Sequence, residues 1–253
     1  MAEEKDLEPM IAIRRAGSLG EVRQGDAVLH CHFAFGPYQD PLHVHDGRLR
    51  VVNRVQLAAD ADYGLGPEQD VDIASWVIDG ALVAHSALFA DETIGTGGLH
   101  LVSAAAGCRS MGWRAGSAGA SFLQFWFLPD EEGGTPAQEA RPAFAGLEDG
   151  GFRILASGFP EDDPEDVGTI ADGAPVVLRA RARLLHAAIP QGEGACYRTT
   201  PGRALYLVVV RGTVTLDSAC LGPGDGARID GETQFIVVAS EDSVILLADI
   251  AAG

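Results

Sequence analysis

At 253 residues the chain can bury two cores of ordinary domain size, and 47% of it is hydrophobic. Eighteen Lys and Arg stand against 36 Asp and Glu, a net charge of -18. Such a field repels phosphate backbones and anionic bilayers, so neither direct nucleic-acid binding nor membrane association is expected. Four scattered cysteines (Cys31, Cys108, Cys196, Cys220) form no CxxC pair and no compact framework, which points to reduced thiols in a soluble, cytoplasmic protein.

Residues 1–9, MAEEKDLEP, are polar and acidic and lack the apolar centre of a signal peptide. They are predicted to form a disordered N-terminal extension, with Met10 an alternative natural start. No later apolar run reaches the ~18 residues that cross a bilayer. From Met10 onward strands dominate. VLHCHFAF (28–35) and RLRVVNRVQL (48–57) alternate, and SFLQFWFLP (121–129) is an aromatic strand closed by Pro129. Short helical turns are predicted over 136–146 and near 161–166. The polar segments 130–144 and 161–166 read as connectors, placing a lobe boundary near residue 150. Arg179, Arg181 and Arg183 alternate as the wet face of a strand would. Beyond them 203–210, 213–216, 234–239 and 243–250 are further strands.

Two stretches repeat one plan. Residues 76–107 and 208–231 each run from an apolar strand through a turn at Gly80 or Gly212, an alternating strand and a Gly-rich corner to another strand. A repeated β unit implies a duplicated barrel. The predicted fold is therefore all-β, with an N-terminal domain over 10–150 and a C-terminal domain over 151–253.

Several ordered segments resemble the pirin family of double cupins, including bacterial pirin-like quercetinases. They are HFAFGPYQDP (32–41), GRLRVVN (47–53, with Asn53 in the family's place for that residue), GLGPEQDVDIASWVIDG (64–80), GGLHLVSAAAGCRS (97–110) and LQFWFLPDEEGGTP (123–136). The resemblance covers nearly the whole chain from Met10 and implies two stacked jelly-roll barrels. It also implies a metal centre of three His and one Glu in the N-terminal barrel, suited to iron, copper or nickel and to dioxygen chemistry. Carried over position by position, those ligands fall on Gly66, Glu68, Ser110 and Gly112. Only Glu68 is a metal-binding residue type, so no metal and no cofactor are expected.

The resulting expectation is a pirin-like bicupin without the catalytic metal site. It would be non-catalytic, a small-molecule-binding or regulatory protein with a possible protein partner, and its N-terminal cavity would be lined by Gly66, Glu68, Ser110, Gly112 and Trp113. That cavity either holds a small organic ligand or is filled, with Trp113 helping to fill it. The alternative is a quercetin 2,3-dioxygenase-like enzyme. No catalytic residue is assigned. His30/His32 and His43/His45 are two HxH pairs that could chelate a displaced metal, but the first pair reads as an outer face and the second as a loop. Cys108 reads as a buried inert thiol, Glu68 and Asp70 as an acidic pair on one face, and His186 as a lone C-terminal histidine.

Overall fold

The computed structural model describes residues 10–144, 151–162 and 174–251, so the expected disordered extension at 1–9 lies outside the described residues. The strands in the first part of the chain are β1 (Met10–Arg14), β2 (Gly20–Gln24), β3 (Ala27–Cys31), β4 (Leu49–Leu57), β5 (Asp62–Leu65), β6 (Asp72–Ser86), β7 (Glu92–Gly95), β8 (Leu99–Ser103), β9 (Met111–Phe127) and β10 (Ala137–Arg141). There follow β11 (Arg153–Ser157), β12 (Val176–Val177), β13 (Ala182–Ile189), β14 (Gly194–Arg198), β15 (Arg203–Arg211), β16 (Val214–Leu216), β17 (Ala219–Leu221), β18 (Gly226–Asp230), β19 (Gln234–Ala239) and β20 (Ser243–Ala251). The only helical elements among the described residues are 3-10 turns at Ala16–Ser18 and Pro160–Asp162. The all-β reading holds. The helical turn expected over 136–146 is instead strand β10, held by antiparallel pairing of Ala137 to Ser103 and Arg141 to Leu99.

Contacts divide the chain into two units whose segments interleave, where the sequence reading drew one boundary near 150. The C-terminal unit takes Met1–Ser18, Leu147–Arg153 and Leu184–Gly253; the N-terminal unit takes Leu19–Gly146 and Ile154–Arg183. Long-range pairing is the cause. β1 lies antiparallel to β18, from Met10 opposite Asp230 to Arg14 opposite Gly226. Asp225 then clasps the chain leaving β1: it accepts from the Ala16 amide and the Arg15 guanidinium, each at 2.7 Å, and from the Gly222 amide at 3.1 Å. In the N-terminal unit the Arg179 amide donates to buried Asp72 at 2.6 Å, tying residues near 179 to β6. The arginine series is thus not the face of one strand, because β13 begins only at Ala182. Arg179 reaches the carbonyls of Glu131 and Gly133, and Arg183 the carboxylate of Asp162.

In the N-terminal unit the sheet order is β10-β8-β6-β9-β4-β3-β2, with β5 on β9 and β7 on β6. The C-terminal unit has β1-β18-β15-β20-β13 in one sheet and β14-β19-β16-β17 in another. The repeat seen in sequence has a common backbone basis. Val77 exchanges hydrogen bonds with Gly97 and Gly98, and Val209 exchanges the same pair with Gly224 and Asp225. Gly80 and Gly212, each three residues further on, have φ of 80° and 79°. A Cβ at Gly80 would lie 2.3 Å from the Gly119 carbonyl oxygen, so this turn admits no side chain.

Candidate functional site: the interior and rim of the N-terminal barrel

Which residues face the barrel interior follows from strand parity, and the glycine turns change that parity. On β6 the inward residues are Ile73 and Val77 before the irregularities at Val77/Asp79 and Gly80/Leu82, then Leu82 and Ala84 after them. On β9 they are Met111, Trp113 and Ala115 before Gly119 (φ 81°), then Phe122 and Trp126. Ser110 and Gly112 have the opposite parity to Met111 and Trp113.

The five residues read as lining one cavity are divided. Gly66, Glu68, Ser110 and Gly112 lie together on the rim, where the chain from β5 onward runs beside the start of β9 and a Cβ at Gly66 would stand 3.0 Å from Ser110 Cα. Trp113 instead turns into the interior. Trp113 is fully buried in the interior cluster, stacked on Tyr63 at 5.9 Å and 26° and tilted against Phe122 at 6.3 Å. Gly66 and Ser110 are exposed. A Cβ on Gly66, whose φ is 132°, would meet the Arg109 carbonyl oxygen at 2.5 Å. Gly112 is covered from the other side by His85, whose Cε1 is 2.6 Å from where a Gly112 Cβ would stand. Glu68 is half-buried, and that burial pushes its carboxyl above the usual range. Its backbone bridges Cys108 in both directions, at 3.0 and 2.8 Å. Asp70 does not pair with it; Asp70 Oδ1 accepts from the Gly133 amide at 2.6 Å and so serves a loop.

The histidine candidates are separate from these and from one another. His30 is half-buried on β3, whereas His32 is fully buried, because the chain leaves the strand after Cys31. His43 Nδ1 lies 2.9 Å from Asp40 Oδ2, which also accepts from the Tyr38 hydroxyl at 2.9 Å, so Asp40 organises that loop. His45 is exposed, and His186 is buried in the C-terminal unit. Cys108 is buried, with its thiol 3.4 Å from the Ser110 carbonyl. Among the described residues no three His, Cys, Asp or Glu side chains gather to hold a metal.

What the interior does gather is a belt of uncharged polar groups at one register level. Cys31 pairs with Asn53, Asn53 with Gln124, Gln124 with Ser75, and Ser75 with His100. All five are buried. Gln124 Nε2 donates to Ser75 Oγ at 3.2 Å, and Trp113 Nε1 donates to His100 Nδ1 at 3.2 Å, an arrangement that needs neutral imidazole. Burial pushes His100 down to about 4, with a contact from Gln138 pulling slightly the other way. Neither amide atom of Asn53 nor the Tyr63 hydroxyl has a hydrogen-bond partner among the described residues. Burial first, then the Cys31 and Glu68 charges, pushes the Tyr63 phenol up, so it stays protonated.

Sequence reasoning passed over this belt and the rim pair His85–Asp62, whose Nε2 and Oδ2 lie 2.9 Å apart. A signal existed in polar residues at inward positions of apolar strands, LHLVS and FLQFWF. Periodicity marks them as inward but does not say what they meet.

Relatives place the chain. A protein of Caulobacter vibrioides named pirin-like protein is 31% identical over 242 residues, spanning 96% of this chain and all of the relative. The chain belongs to the pirin-like family. Residues 169–250 also match the model of the quercetinase C-terminal cupin domain. A Zymomonas mobilis protein named putative quercetin 2,3-dioxygenase is 29% identical, covering 94% of this pirin-like chain and 97% of the relative. Among solved structures, the Escherichia coli bacterial pirin YhhW in complex with nickel(II) superposes with a TM-score of 0.83 at 25% identity, over 96% of this chain and all of that one. The pirin-like fold thus comprises two cupin domains, as expected from the repeat. No helix is long and apolar enough to cross a membrane among the described residues.

Proposed function

We propose that this pirin-like protein does not use the family's metal centre and works as a non-catalytic binding or regulatory protein. The carrying observation is the register of β9. It turns apolar Met111 and Trp113 into the barrel and leaves Ser110 and Gly112, at two positions the resemblance assigns to ligands, on the opposite parity. The residues present do not fit a tightly bound transition metal, which needs several imidazole, carboxylate or thiolate donors converging at once. Glu68 is one carboxylate. Gly66 cannot be replaced by a ligand without displacing the Arg109 carbonyl. The interior space is taken by the Tyr63–Trp113–Phe122 aromatic group, which favours a filled cavity over one holding an organic ligand.

The second reading, a dioxygenase acting on a flavonol, draws on the names of the relatives, several of which are called quercetin 2,3-dioxygenase. A metal would supply that reaction with electron transfer to dioxygen, and this chain's residues would only orient and shield the substrate. One experiment separates the two. The full chain is incubated with nickel(II) or iron(II), gel-filtered, assayed for metal, and tested for oxygen uptake with quercetin. Metal far below one ion per chain and uptake equal to the protein-free control are expected. Stoichiometric metal together with turnover would establish the second reading.

A further inference from the structure

The C-terminal unit carries an open groove of about 650 Å³ that shares no lining residue with the N-terminal barrel. Its walls are Ile11 on β1, Leu216 and Asp217 at the end of β16, and Glu232, Gln234, Phe235 and Ile236 around the start of β19. Ile236 is 52% exposed, although its strand neighbours Phe235 and Val237 are buried. The groove therefore has an apolar wall that meets solvent, and among the described residues its only charged lining residues are the acidic Asp217 and Glu232. Of the nearby cations, Arg228 is ion-paired with Asp230 at 2.8 Å, and Arg198 is held by a 2.9 Å hydrogen bond to the neutral amide of Gln234.

A second feature lies alongside. β1 is the terminal strand of its sheet, with β18 on one side and no further strand on the other among the described residues. Such an edge offers alternate amides and carbonyls to an incoming extended chain. We infer that this groove and the β1 edge together form a docking site for an extended segment of another protein in which apolar residues alternate with Lys or Arg. Backbone pairing along β1 would supply affinity, the pocket beside Ile236 would take an apolar side chain, and Asp217 with Glu232 would select for cations. The rival occupants carry the wrong charge. Residues 1–9 hold Glu3, Glu4, Asp6 and Glu8 against Lys5, and a second copy brings another net charge of -18.

The test uses the full chain and a fluorescein-labelled octapeptide of alternating Lys and Val, with the Glu/Val octapeptide as its counterpart. The Lys/Val peptide should bind and the Glu/Val peptide should not. Asp217→Lys with Glu232→Lys should weaken binding about tenfold or more, as should Ile236→Asp, all at exposed or half-buried positions that leave the circular dichroism spectrum unchanged. Asp91→Lys with Glu92→Lys makes the same charge change on exposed residues of the other unit and should leave affinity within about twofold. Hydrogen exchange over Met10–Arg14 should slow in the complex. Equal weakening by both charge reversals would reduce the effect to bulk attraction and overturn the proposal. So would absence of binding, unchanged exchange in β1, or binding that emerges only after residues 1–9 are deleted.

Discussion

Each unit pairs one fully buried carboxylate, Asp72 in the N-terminal unit and Asp249 in the C-terminal unit, but the two interiors differ in how they treat particular neutral groups. In the C-terminal unit the fully buried carboxylate of Asp249 accepts from the Tyr197 hydroxyl at 2.7 Å and from Thr199 Oγ1 at 2.9 Å, with the Arg203 guanidinium 3.7 Å away. In the N-terminal unit Asn53 and Tyr63 are just as buried, yet neither the Asn53 amide nor the Tyr63 hydroxyl has a hydrogen-bond partner among the described residues. A domain that needed only stability would not keep unpaired groups in its core, since each costs about 1–3 kcal/mol. The polar surplus therefore marks the N-terminal interior as the part of the fold shaped by something other than packing.

The largest expected effect tests whether the aromatic group has become part of that barrel's core. Trp113 touches Tyr63, Phe122 and His100. Trp113→Ala should cost about 3–5 kcal/mol in urea unfolding, the range for truncating a buried aromatic. A cost below about 1 kcal/mol would mean the barrel tolerates an empty centre, and the filled-cavity reading would fail with it.

Next is the pH response of the belt. His100 is held neutral in the folded state, with its pKa pushed down to about 4, below the ordinary value of 6.5. The unfolded chain therefore takes up the proton first as pH falls. The stability that this group contributes is complete above 6.5 and is lost between 6.5 and about 4, amounting to about 3 kcal/mol. Asp72 works in the opposite sense, because burial pushes it up despite hydrogen bonds from Ser103 and the Arg179 amide. The informative quantity is thus the difference between wild type and His100→Gln. Unfolding free energies measured from pH 7 to 4 should converge as pH falls. Parallel curves would show that His100 is not buried neutral.

How much of this could be read from the sequence differs by element. The repeat was legible because Gly80 and Gly212 occupy turns where φ is positive, and such turns announce themselves as glycine between apolar runs. The strands at 203–210 and 243–250 were legible from their apolar pattern. β10 was not, since its five residues are strand only because β8 lies beside them, and local periodicity carries no information about that neighbour. The pairing of β1 with β18 spans most of the chain and was invisible for the same reason. Trp113 was misplaced for a subtler reason. Parity reverses at Gly119 and near Gly80, so the register that places Trp113 inward and Gly112 outward depends on irregularities that no sequence window reveals. The absence of ligand residue types at positions 66, 110 and 112 could be read directly, because it concerns identity and not direction.

The sharpest form of the comparison makes one chemical change in both interiors. Tyr197→Phe removes a donor from the buried carboxylate of Asp249 and should cost about 1.5–3 kcal/mol, the range for hydrogen bonds to charged groups. Tyr63→Phe removes a hydroxyl that has no hydrogen-bond partner among the described residues and leaves the ring stacked on Trp113. Its effect should be smaller than about 1 kcal/mol and in the stabilising direction, because the folded state no longer buries an unpaired group. Both variants keep ring volume nearly constant, so cavity formation does not confuse the difference. If Tyr63→Phe were instead as costly as Tyr197→Phe, the Tyr63 hydroxyl would be bonded in solution, and the interior would hold a group that completes the belt. The contrast between the two units would then be one of what each interior encloses, and the N-terminal barrel would regain its claim to a ligand.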